Sequence, residues 1–178
     1  MDLETGTYEI GPGTGALTVH TRRGGFGAAA GHDLVIEVTR WSGTVRIDAD
    51  SIEASTVEVV VDATSLEVRE GNGAVPLLAV NKSEIARTIK KVLRAREHPE
   101  IRFRSTGVAE AADGFTVSGD LTVVGVDRPV ELAVHPEGTV TATVVQSAFG
   151  IKPYSAMFGA LKVLDAVEVR AEVHPARL

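Results

Sequence analysis

The 178 residues include no cysteine, so disulfide staples, thiol catalysis and cysteine-ligated zinc are excluded from the start. Aromatic residues make up only 4% of the chain, and any core or cavity must be lined mainly by aliphatic side chains. No stretch reaches the roughly 18 consecutive apolar residues that a membrane-spanning helix needs. The first fifteen residues, MDLETGTYEIGPGTG, are acidic and polar where an export signal would carry basic residues and then a long apolar run. They predict a soluble, cytoplasmic protein, or a periplasmic or extracellular one if a leader has been trimmed from it.

Motifs for chemistry are equally scarce. His20, His32, His98, His135 and His174 are scattered, without HExxH or HxH spacing, and no pair of carboxylates is set for acid-base work. The glycine clusters at Gly24-Gly25-Phe26-Gly27 and Gly11-Pro12-Gly13 precede neither a helix start nor GK[ST], so they read as turns rather than phosphate cradles. No serine sits in a G-x-S-x-G elbow. No catalytic residue, metal ligand or cofactor is therefore assigned. The net charge of −6 and the absence of interleaved basic and aromatic residues argue against nucleic acid.

What the chain does have is alternation. Ile101 and Phe103 share one face while Arg102 and Arg104 share the other, and Phe115, Val117, Leu121 and Val123 alternate with Thr116, Ser118, Asp120 and Thr122. The same period of two runs through Leu17 and Val19, Leu34 to Val38, Val45 and Ile47, Val57 to Val61, Val130 to Val134, Val140 to Val144 and Val167 to Val173. Period two marks half-buried antiparallel strands. About eight or nine are predicted, with turns at Trp41-Ser42-Gly43, Asp113-Gly114, Gly125 with Pro129, and Glu137-Gly138. Hairpins between sequential neighbours make a meander, which closes most simply as an up-and-down barrel; a sandwich gives the same alternation.

One segment changes period. In residues 81–96, Ile85, Ile89, Val92 and Leu93 fall on one face of a helix, with Asn81 and Glu84 spaced as a capping box and Pro99 ending it, so a helix is predicted near 82–97. Between Lys82 and Arg96, six basic residues and one acidic one give a local charge of +5, leaving −11 for the rest. Such a helix usually packs its apolar stripe and solvates its charges; the other reading is an anionic membrane surface or acidic partner met through Lys82, Arg87, Lys90, Lys91 and Arg94. Residues 63–80 read as a long connection. Residues 148–164, with Phe149, Tyr154, Met157, Phe158 and Leu161, read as a lid or cavity wall.

The segments "HPEIRF" at His98 to Phe103 and "VSGDLTVVGVDRPVEL" at Val117 to Leu132 resemble the YceI-like family, whose members read yP-x-I-x-F and then G-x-L-T-x-x-G-V-x-x-P-V-x-L. His32 matches a histidine found near the start of an early strand in that family, and Ser65 to Val68 resembles one of its strand ends. The chain departs from the family in residues 69–80 and in lacking the export signal many members carry. The resemblance spans most of the chain, as one domain over 1–178. It implies a mainly β fold, an eight-stranded lipocalin-like barrel, with non-catalytic binding or carriage of a long isoprenoid lipid, a polyprenyl or quinone-like tail, and a homodimer. Leu34, Ile36, Phe103, Leu121, Val123, Phe149, Tyr154, Met157 and Phe158 are placed on the cavity wall or lid. Two other readings stay open: an enzyme acting on a hydrophobic molecule through His32, Asp33 or Tyr154, and an interaction protein with a solid barrel docking by its basic helix.

Overall fold

In the computed structural model, which describes the backbone of residues 4–174, 176 and 177 and the side chains of all these except 157, 176 and 177, the alternating segments form antiparallel strands. They are β1 (Gly6–Ile10), β2 (Gly15–Thr21), β3 (Arg23–Gly24), β4 (Asp33–Val38), β5 (Trp41–Ile47), β6 (Thr56–Asp62), β7 (Leu66–Asn72), β8 (Glu100–Ala111), β9 (Gly114–Val123), β10 (Val126–Val134), β11 (Thr139–Val145), β12 (Ser155–Ala156), β13 (Leu161–Val163), β14 (Ala166–Val173) and β15 (Ala176–Arg177). One α-helix, α1 (Ala79–Val92), lies between β7 and β8. Twelve strands form one sheet in the order β15, β1, β5, β6, β8, β9, β10, β11, β14, β2, β4, β7. β12, β13 and β3 form a second, small sheet.

The strand count exceeds the expected eight because long chain paths break at corners. β4 ends at Val38 and β5 begins at Trp41, although they lie toward opposite ends of the sheet order. Three Cα steps span at most about 11 Å, so the sheet must curl until its ends meet. The partner path bends at the same height, where Thr39 N–H donates to Ser65 O and Asp62 N–H to Arg40 O. The turn expected at Trp41 therefore lies at Thr39 and Arg40, and Trp41 itself starts a strand and is buried. Residues 66–72, expected as part of a connection, are a strand, and the irregular segment 148–164 supplies β12 and β13.

Pro129, expected in a turn, sits within β10 opposite Asp120 of β9. A proline has no N–H for a second ladder, and β10 pairs with β11 only at Ala133 and Val134. Phe149, 1% exposed, fills the resulting split in a cluster with Val126 and Val130 of β10 and Val144 of β11. The β9–β10 turn holds Val124 at φ 54° and Gly125 at φ 73°. A β-branched residue resists that conformation, and here burial of Val124 against the same cluster offsets the strain.

The helix starts three residues earlier than expected. Leu78 precedes its first turn and Asn81, instead of capping with its own backbone position, accepts a hydrogen bond from the Leu78 N–H at 3.2 Å. At the other end Arg94 adopts φ 46°, with its N–H on Lys91 O and the Ala95 N–H on Lys90 O. That is a Schellman ending with arginine where glycine is usual, so the helix stops at Val92 rather than near 97.

Candidate functional site

The inward set of the alternation leaves a hollow. A cavity of about 690 Å³ lies inside the curled sheet, with a wall that is overwhelmingly apolar. Strands supply it because every second side chain must point inward. Leu34 and Ile36 come from β4, Phe103 from β8, and Leu121 and Val123 from β9. Gly119, across from Ser105, leaves room for the Phe103 ring, since a Cβ there would lie 2.5 Å from its Cζ.

The helix covers one end. Ile85, Ile89, Val92 and Leu93, the stripe read from the sequence, face the cavity, while Arg87, Lys90, Lys91 and Arg94 are exposed. Lys82 is half-buried and donates to Arg69 O. Polar groups gather toward this end: Thr21, Arg23, His32, Glu84, Thr88, Tyr154 and Lys162. Among the described residues, the Thr21 hydroxyl is the one buried side-chain polar atom without a hydrogen-bond partner. Thr21 is 9% exposed, and its backbone pairs with Leu34.

Seven of the nine expected wall residues line the cavity: Leu34, Ile36, Phe103, Leu121, Val123, Phe149 and Tyr154. Phe158 does not. Expected on the wall or lid, it is fully exposed at φ 55°, on a turn that leads from β12 into β13. The Met157 side chain lies outside the described residues. Trp41, Val38, Leu66 and Ile10 also line the cavity and were not singled out beforehand. Their place on the inward phase of β1, β4, β5 and β7 was the available signal, masked for Trp41 by the glycine that follows two residues later.

Two of the three groups considered for acid-base chemistry, His32 and Asp33, are held by backbone. His32 Nε2 lies 2.7 Å from Val75 O, and Asp33 accepts a 2.8 Å hydrogen bond from the Arg23 N–H. These contacts tie β3 and the 73–78 connection to the entrance of β4. Among the described residues no three His, Asp or Glu side chains gather as a metal-ligand set. Among the described residues, two groups have clearly displaced titration, and neither lines the cavity. Asp62 is held below the usual carboxylate range, first by the Thr64 hydroxyl at 2.6 Å; burial, the next largest effect, opposes this, and the Thr64 N–H and Arg40 each lower it further. Arg69 is raised by its hydrogen bond and charge pairing with Glu37.

A curled antiparallel sheet around an apolar hollow, with the charged groups of its wall gathered toward one end, defines the class of small-molecule-binding β folds. The chain belongs to the YceI-like family, whose domain model matches residues 8–174. It is 29% identical over 92 residues to the UPF0312 protein YE1254 of Yersinia enterocolitica, a match covering 52% of this chain and 43% of that protein. The fold is similar to BcnA of Burkholderia cenocepacia, with TM-score 0.61 and 15% identity over 88% of this chain and 93% of that one. It is also similar to the Campylobacter jejuni YCEI protein, at TM-score 0.53 and 14% identity over 80% and 84% of the two chains. Among the described residues no helix is long and apolar enough to cross a membrane.

Proposed function

We propose that the chain binds and carries a long isoprenoid lipid, without catalysis, inside the curled sheet. One observation carries this reading: the cavity of about 690 Å³ is lined almost wholly by apolar side chains, and the charged or titratable groups of its wall, Arg23, His32, Glu84, Tyr154 and Lys162, all lie toward one end, as a ligand with a long tail and a small head requires. Counted by chain path, β1 with β2, β4 with β5, and β6 with β7 each make one strand, and with β8, β9, β10, β11 and β14 they give eight paths, a count that supports reading the curled sheet as a lipocalin-like barrel. β14 then returns to β2. Apolar burial at about 25 cal/mol per Å² drives entry of the tail, and the Thr21 hydroxyl supplies an unmatched partner for a polar head.

Native purification followed by solvent extraction and mass spectrometry tests the proposal. A stoichiometric prenyl lipid is expected. A clean extract, together with no binding of added prenols, would remove the basis for carriage. The engagement of His32 and Asp33 with backbone supports a binding role over an acid-base one.

A further inference from the structure

The strands run up and down, so the connections sort into two ends with opposite character. Residues 22–32, 73–99, 124–125 and 146–165 lie together at the helix end, where Gly27 N–H donates to Ala160 O, Leu164 N–H to Arg22 O, and His32 meets Val75 O. They carry ten Lys or Arg against three Asp or Glu, a charge of +7. At the other end, residues 48–55, 112–113 and 135–138 carry five Asp or Glu and no Lys or Arg, a charge of −5. The whole chain is at −6.

Exposed apolar side chains follow the same division. All eight large ones among the described residues lie at the basic end, including Phe26 (92% exposed), Val75, Leu78, Val80, Tyr154 and Phe158. Phe26 and Phe158 belong to neighbouring turns, since the backbone at Gly25 and Gly27 packs against Gly159 and Ala160. A soluble surface scatters such residues singly; here they share one end of the molecule with its positive charge, and one of them, Tyr154, also lines the cavity.

We infer that this end docks on an anionic lipid bilayer, with Phe26 and Phe158 entering the interface and Lys90, Lys91 and their neighbours facing the head groups. The charge decides between occupants. At +7 this end repels the same end of a second copy, whereas an anionic bilayer attracts it and repels the −5 end, so the molecule arrives mouth first. Docking in this orientation sets the cavity entrance against the membrane that holds a lipid cargo, and in that respect the inference builds on the carriage reading.

Co-sedimentation with phosphatidylcholine vesicles, with and without phosphatidylglycerol, tests it. The full chain is expected to sediment with the anionic vesicles and to be released by rising salt. F26S/F158N and K90E/K91E are each expected to weaken this at least tenfold, while E53Q at the far end leaves it unchanged. Asparagine suits the left-handed backbone at position 158, and both phenylalanines are exposed, so melting temperatures should hold. Failure of the unaltered chain to bind anionic vesicles, or equal binding by all four proteins, overturns docking. A prenol titration without vesicles separates the two proposals: prenol binding without vesicle binding sinks docking alone, and vesicle binding without prenol binding sinks carriage alone.

Discussion

Replacing Ala142 by phenylalanine should shorten the longest isoprenoid tail the protein can enclose by about one isoprene unit. Ala142 lies on β11, is 9% exposed and lines the cavity. At about 30 Å³ per small group, the share of a water in the liquid, 690 Å³ admits on the order of 20 non-hydrogen atoms, or about four isoprene units. Affinity of about 0.3 kcal/mol per atom makes each enclosed unit of five carbons worth about 1.5 kcal/mol, close to tenfold in Kd. A series of prenols of increasing length should therefore gain about tenfold per unit up to four units and then level off, as further units project from the mouth. The substitution adds six carbons to the wall, so the plateau should fall to about three units with the earlier increments unchanged. Displacement of a fluorescent prenyl probe measures both curves. Affinity independent of length, or a plateau that a folded A142F leaves in place, would refute binding inside the sheet.

Thr21→Val should leave stability unchanged or slightly raised, because the hydroxyl it removes is buried without a partner, and should weaken a prenol about 3- to 10-fold relative to the matching hydrocarbon. Equal effects on both ligands would remove Thr21 as the head contact. Phe149→Ala should cost about 3–5 kcal/mol and lower the melting temperature by about 10 °C, since the ring fills the split between β10 and β11. Arg94→Gly should stabilise the chain by about 0.5–1 kcal/mol in urea unfolding, by relieving the left-handed backbone at the helix end. Asp62→Asn tests linkage. The depressed Asp62 pKa contributes stability above the unfolded carboxylate range, lost as pH falls through its lower folded value, so the variant should be up to about 1 kcal/mol less stable at neutral pH and equal in acid. A gap that persists in acid would show that charge is not its source.

Much of the wall was legible because burial on one face imposes period two. Leu34, Ile36, Phe103, Leu121 and Val123 all reach the cavity as their alternation required. The helical stripe from Ile85 to Leu93 was legible for the same kind of reason, at period 3.6. The segment from Phe149 to Phe158 was not, because it has no period. Its residues part company: Phe149 is driven inward by a gap that Pro129 opens on another strand, while Phe158 sits outside on a left-handed turn. Trp41 was misread through its local company, since Ser42 and Gly43 look like a turn until the corner at Thr39 and Arg40 is seen.

Sequence alone determined most of the strands, the helix and the family wording, because local periodicity and composition suffice to say which side chains seek burial. Tertiary structure decided that the inward faces enclose a hollow rather than a solid core, since that depends on how far the sheet curls before its ends meet. It also decided that the positive charge and the exposed phenylalanines share one end, a matter of which connections the up-and-down topology brings together.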